Sequence, residues 1–234
     1  MIVLPAGAET FVETFDNGSG VGGWSFHDVR QRHVLTGGNP GAFFGVVDGT
    51  YGASMWDVPS TIGTSIFTGD YRAKGVTSIG IDLRIFGVTS YPPGFQLEET
   101  VGLVLQTDNG TPDNTDDDWA LYNHGTDLTP EIAGGWRSYE FGIPSQSASI
   151  PEGWGVASFN LPPSGETPTW TELMGNVSQV WFTLRNADLF WFADDGHVGL
   201  DNARISYVPE PASAALMLLG LIVAGCRGRL IRQQ

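Results

Sequence analysis

The chain has 234 residues, 26 acidic and 11 basic, and carries a net charge of −15. That surplus repels nucleic-acid backbones and anionic lipid surfaces, so nucleic acid is excluded as a partner. Hydrophobic residues make up 41% and charged residues 16%, which excludes a solvated, unstructured polymer and leaves enough apolar side chain for a core. The one cysteine, Cys226, excludes an internal disulfide, so a core or a bound metal must supply the stability that cross-links give many exported domains.

Taken in order, 1–8 reads Met-Ile-Val-Leu-Pro-Ala-Gly-Ala. It fits either the end of a secretory signal peptide without its basic start or a disordered leader. Residues 9–15 alternate as a strand, with Phe11, Glu13 and Phe15 on one side. Turns follow at Asn17-Gly18-Ser19-Gly20 and at 37–41, the second running into 42–47. Trp56 and Phe67 mark further short strands. The clearest alternation is 78–86, where Ile79, Ile81, Leu83 and Ile85 face one way and Gly80, Asp82 and Arg84 the other. Val101, Leu103 and Leu105 repeat it.

An acidic loop, 108–118, precedes strands at 119–122 and 139–143. Thr169 and Glu172 have the spacing of a capping box and open one helical turn ending at Gly175. Val180, Phe182 and Leu184 give a late strand, and 200–208 closes the series. The sum is roughly nine or ten short strands with little helix, the pattern of antiparallel sheets that each have one wet face. The expectation is an all-β, jelly-roll β-sandwich over 9–207, in one domain.

From Val208 the composition changes. Val208-Pro209-Glu210-Pro211 leads into an apolar run, 212–226, and then Arg227, Arg229 and Arg232. The run is about 15 residues, or about 22 Å as a helix, against a bilayer core of about 30 Å. It has no polar face, and basic residues close behind it favour retention of that end in the cytoplasm. A single short C-terminal hydrophobic helix is expected, with everything before Val208 outside the cytoplasm. Without the tail, the body has eight basic against 25 acidic side chains, a net of −17.

This tripartite tail, 208–234, resembles the PEP-CTERM sorting signal of Gram-negative bacteria. The resemblance implies recognition by an exosortase-type membrane peptidase through Val208, Pro209, Glu210, Pro211, Arg227 and Arg229. It also implies an inner-membrane precursor, and release or attachment at the cell surface or in the extracellular matrix. Gly228, Leu230 and Ile231 interrupt the arginine cluster, which is sparser than the family's usual run.

The body holds Phe15-Asp16, Gly23-Trp24, Gly38-Asn39-Pro40-Gly41, Gly134-Gly135-Trp136 and Gly199-Leu200-Asp201-Asn202 in that order. It resembles the laminin B (laminin IV) domain, a jelly roll similar to carbohydrate-binding modules. If the first and last strands lie side by side, Asp16, Asp201 and Asn202 meet near Asn39. That would be an oxygen-rich set suited to calcium, and the resemblance implies a structural calcium in a comparable place. The same residues can instead cap turns. The acidic loop lacks the Glu that an EF-hand needs at its twelfth position, where Trp119 stands. It reads as a solvated loop.

For glycan binding the candidates are aromatic residues, foremost Trp191 and Phe192, flanked by acidic residues, and Trp119 beside the acidic loop. Catalysis has no constellation behind it. The four histidines show no zinc spacing, no G-x-S-x-G elbow occurs, and Glu98 and Glu99, adjacent on a strand, would point to opposite faces. The expected function is therefore that of an exported, non-catalytic surface or matrix protein whose sandwich binds polysaccharide. The alternative is a secreted polysaccharide hydrolase or lyase on the same scaffold.

Overall fold

The computed structural model describes residues 7–16, 24, 31–49, 54–57, 65–90, 100–114, 116–127, 134–157, 167–183 and 194–208. Eleven strands and two short helices lie among them, in the order β1 (Glu9–Glu13), β2 (Gln31–Gly38), β3 (Gly41–Gly49), β4 (Ser54–Asp57), α1 (Tyr71–Lys74), β5 (Val76–Ser90), β6 (Thr100–Thr107), β7 (Trp119–Asp127), β8 (Arg137–Gly142), β9 (Trp154–Val156), α2 (Trp170–Gly175), β10 (Gln179–Thr183) and β11 (Asp194–Tyr207). The expected tail helix over 212–226, the turn at 17–20 and the pair Trp191 and Phe192 lie outside the described residues. Among those residues no helix is long and apolar enough to cross a membrane.

The fold is the expected all-β jelly-roll sandwich. One sheet runs β2-β3-β11-β5-β8, with β1 also on β11, and the other runs β4-β10-β6-β7-β9. Among the described residues every strand pair is antiparallel, and β1 and β11, the first and last strands there, are neighbours, with Glu9 opposite Tyr207 and Glu13 opposite Ala203. Strand β11 joins most of the first sheet. It pairs with β3 near one end, β1 near the other and β5 along its length.

Alternation explains the core. Ile79, Ile81, Leu83 and Ile85 of β5 meet Val101, Leu103 and Leu105 of β6, Trp119 and Leu121 of β7, and Val180 and Phe182 of β10. A second, smaller cluster (Val104, Ala120, Tyr122, Ala157 and Trp181) is buried on the outer face of the β6–β7–β10 sheet. The helices plug one end of the sandwich with Tyr71, Trp170, Leu173 and Met174, all fully buried. There the Trp170 indole N–H donates to the Pro144 carbonyl at 3.0 Å.

Two local expectations need correction. Phe67 is not on a strand. It lies in the turn before α1, completely buried, with its ring against Trp24 at 5.0 Å. Strand β2 carries no clean apolar alternation and was not anticipated; its pairing with β3 holds it in the sheet. The capping box is as expected, because the Thr169 hydroxyl accepts from the Glu172 N–H at 3.2 Å and also bonds the Glu172 carboxylate at 2.6 Å. Thr169→Ala should cost about 0.5–2 kcal/mol, read as a lower urea midpoint with unchanged slope.

Candidate functional site

The site forms where β1, the β2–β3 turn and the middle of β11 converge. Strand β11 slips register between Asp201 and Arg204, and Asn202 takes a left-handed φ of 48°. Such a bulge inserts one unpaired residue. It lets Val198 and Leu200 face the core on one side of the slip, and Ala203 and Ile205 on the other. Asp201 and Asn202 both join the polar network on the outer face.

Asp201 is completely buried. It accepts the Asn39 N–H at 2.5 Å and the Asn202 N–H at 2.7 Å. Burial pushes its pKa up to about 6; those two N–H donors oppose the shift, and the charges of Asp82 and Asp16 add to it. Glu13, at the end of β1, is also buried. One of its oxygens accepts the Phe15 N–H at 2.9 Å, while Oε2 is buried without a hydrogen-bond partner. Burial raises its pKa, the Phe15 N–H opposes that, and the charges of Asp16 and Asp201 add to the rise. Asp16 is exposed and accepts the Ala42 N–H at 2.9 Å. Gly41 closes the turn at a φ of 94°, and a Cβ there would run into the Asp16 carboxylate. The Asn39–Pro40 bond in this turn is cis.

Asp16, Asp201, Asn202 and Asn39 thus lie together, but they divide into two groups. The amide of Asn39 donates to Asp82 at 3.1 Å, and that of Asn202 donates to Asp82 at 2.8 Å and to the Asn39 carbonyl at 2.5 Å. Both amides therefore hold Asp82. Outside that pair of amides, the charges of Asp16 and Asp201 both reach Glu13, and that of Asp16 reaches Asp201. Glu13 was not singled out by sequence reasoning as a ligand, although an acid between Phe11 and Phe15 on a core-facing row was a signal.

Two buried acids, Glu13 and Asp201, with pKa values raised by burial and by acidic neighbours, and an exposed third, Asp16, supply the hard oxygens that a divalent cation such as calcium takes. Among the described residues no three His, Cys, Asp or Glu side chains form a ready-made ligand set. A calcium ion here would need main-chain oxygens or water as well as the carboxylates, as calcium sites commonly use.

Asp82 lies directly opposite Asp201 across β5 and β11. It accepts Ser138 Oγ at 2.5 Å and Arg204 Nη1 at 2.9 Å on its other oxygen. Burial alone would raise its pKa, but the bonds from Ser138 and Asn202 and the charge of Arg204 outweigh it and hold the group below the usual range. Arg204 also bonds Glu140 at 2.9 Å and the Tyr139 carbonyl at 2.9 Å.

On the same outer face, the Trp136 ring packs edge-on to Phe43 at 5.4 Å, and its indole N–H donates to the Gly37 carbonyl at 3.0 Å. Gly199 makes room, since a Cβ there would lie 2.8 Å from Trp136 and 2.9 Å from Phe43. Trp119 is not a sugar platform. It is 3% exposed and part of the inter-sheet core, because the strand it opens turns it inward. Tyr122, Trp154 and Trp181 are buried too. In the acidic loop, Asp108 accepts a hydrogen bond from the Asn176 side-chain amide at 2.7 Å and Asp117 accepts one from the Thr111 hydroxyl at 2.7 Å. Of the sorting motif, Val208 is the one residue described; its N–H donates to the Gly75 carbonyl at 2.9 Å.

No family model and no curated protein matches the chain. Solved structures similar to it include a family 30 carbohydrate-binding module of a cellulosomal cellulase of Clostridium thermocellum, 9% identical at a TM-score of 0.41, covering 87% of this chain and 94% of that one. An exo-β-agarase is 14% identical at 0.44, over 85% and 25% of the two chains. SGBP-B from a xyloglucan utilization locus in Bacteroides uniformis is 14% identical at 0.36, over 83% and 48%.

Proposed function

We propose that this is an exported, non-catalytic surface or matrix protein of a Gram-negative bacterium. Its sandwich binds polysaccharide, a structural calcium ion ties β1 to β11, and the tail is read by an exosortase-type membrane peptidase. The sorting reading is carried by the junction at Val208. Strand β11 ends at Tyr207, the Val208 N–H donates to the Gly75 carbonyl, and Pro209-Glu210-Pro211 begins at the next residue of the sequence. Calcium is supported by the orphaned Glu13 oxygen beside Asp16 and Asp201.

A hydrolase or lyase reading would look first to Asp82 and Asp201, adjacent carboxyls whose pKa values move in opposite directions. Asp201 is fully buried and Asp82 is 5% exposed. At that burial a polysaccharide chain has no approach to either carboxyl, whereas each Asp201 oxygen accepts one hydrogen bond and keeps a second lone pair for a small ion.

Intact-mass analysis of the protein from its native host tests the sorting. The expected product has lost the 212–226 run and fractionates with the envelope or medium. Recovery of the uncut chain from the cytosol overturns the reading.

A further inference from the structure

The outer face of the β3–β11–β5–β8 sheet carries an aromatic patch with a cation that, among the described residues, has no carboxylate partner. Arg84 projects from β5 opposite Gly199, which has no side chain to meet it. Its guanidinium lies 4.6 Å from the centre of the Phe86 ring. Its Nε is buried without a hydrogen-bond partner, and among the described residues Arg84 has no ion pair and no hydrogen bond. In a chain with 26 acidic residues, an arginine that meets no carboxylate among the described residues calls for an explanation.

The patch beside it is built. Phe86 stacks on Phe43 at 5.7 Å and 29°, and Trp136 stands edge-on to both. Of the tryptophans whose side chains are described, Trp24, Trp119, Trp154, Trp170 and Trp181 are buried, and Trp136 alone is half-exposed. Its indole N–H is already used on Gly37, so what it offers a ligand is ring surface. The C–H bonds on one face of a sugar suit the negative face of such a ring. A planar guanidinium beside it suits a carboxylate or sulfate.

From this arrangement we infer that Arg84, Phe86 and Trp136 form a subsite for an anionic sugar residue, a uronate or sulfated unit. The sugar ring lies against Trp136 and its anion on Arg84. This rests on the glycan-binding reading above and names the ligand class for it. The body's net charge does not forbid the pairing. At physiological ionic strength, charges beyond about 8 Å are largely screened, and Asp82, two residues along the strand, is already paired with Arg204.

Calorimetric titration of the full chain with trigalacturonate and with its methyl ester tests the assignment, because the two differ in charge and share a sugar ring. The wild type should bind the acid at least about tenfold more tightly than the ester, the loss expected when a charge-assisted bond is removed. Arg84→Gln should bring the acid down to the ester's affinity, and Trp136→Ala should weaken both. Trp136→Phe, which keeps an aromatic face, should bind more tightly than Trp136→Ala if the ring is the platform. Equal wild-type affinity for acid and ester, or undiminished acid binding by a folded Arg84→Gln, overturns the anionic subsite and leaves glycan binding standing. Failure to bind either of these, or any neutral glucan or galactan, overturns both.

Discussion

Stripping divalent cations at pH 7.5 should lower the melting temperature by about 5–10 °C, and calcium should restore it. The size follows from linkage. A ligand at a hundred times its dissociation constant stabilises by about 2.7 kcal/mol, and a domain of this length shifts by about 2–4 °C per kcal/mol. The cause is the acid pocket. Glu13 and Asp201 are buried, and each raises its pKa from burial and from its acidic neighbours. At neutral pH, without a cation, the fold holds these charges at a cost.

The sign with pH is opposite to the usual carboxylate case. Asp201 moves from 3.8 to about 6 in the folded protein. The folded state therefore binds this proton more tightly, and stability from this group is greatest below the unfolded pKa and is lost as pH rises through about 6. Chelated protein should thus gain melting temperature between pH 7.5 and pH 5, with Glu13 acting in the same direction. Calcium-loaded protein should show a smaller gain, because protons and the ion compete for the same oxygens. Glu13→Gln separates the site from a general salt effect: it should stabilise the chelated protein and abolish most of the calcium response. A melting temperature indifferent to chelation would remove the calcium proposal.

How much of this was legible depends on whether the signal is local. The inward rows of β5 and β6 follow from strict alternation at Ile79 to Ile85 and Val101 to Leu105, since a buried strand face needs one apolar residue in two. The α2 cap was legible for the same reason; Thr169 and Glu172 satisfy each other within one turn. The neighbourhood of Asp16, Asp201, Asn202 and Asn39 was legible from the expected pairing of first and last strands.

Its internal division was not legible, because it depends on the bulge at Asn202 and on Asp82 arriving from β5. The slip did leave a trace in the sequence. Leu200 is on an even core-facing phase, Ala203 and Ile205 on an odd one, and one extra residue must lie between. Trp119 was misread for a similar reason. Beside an acidic loop it looks exposed, but its place on β7 aims it between the sheets. Nothing in the local sequence distinguishes the inward tryptophan from Trp136, which lies outward because Gly199, far away in the chain, leaves the space.

The second large effect is expected at Asp82. Asp82→Ala should destabilise by about 3–5 kcal/mol, the cost of removing one partner from a buried charged pair. Four donors converge on its two oxygens: Ser138 and Arg204 on one, Asn39 and Asn202 on the other. Asp82 itself is nearly buried, and removing its carboxylate takes an acceptor from Ser138 and from two amides, while Arg204 keeps Glu140 and the Tyr139 carbonyl. Asp82→Asn is not a mild version, because its NH2 group would face donors where the wild type has an acceptor; a loss of at least about 2 kcal/mol is expected. Urea unfolding at pH 7 reads both, and a loss under about 1 kcal/mol for Asp82→Ala would mean the network is dispensable. The pH dependence tells Asp82 from Asp201. The folded pKa of Asp82 is lowered from 3.8, so its contribution is present above that value and is lost as pH falls through the lower folded pKa. The gap between wild type and Asp82→Asn should therefore narrow below pH 4, while the calcium response, which belongs to Glu13, Asp16 and Asp201, weakens already between pH 7 and pH 5. Two register partners on one sheet face would then lose their contributions at opposite ends of the acid range. Their different surroundings require this: four donors surround Asp82, whereas Asp201 is buried beside other acids.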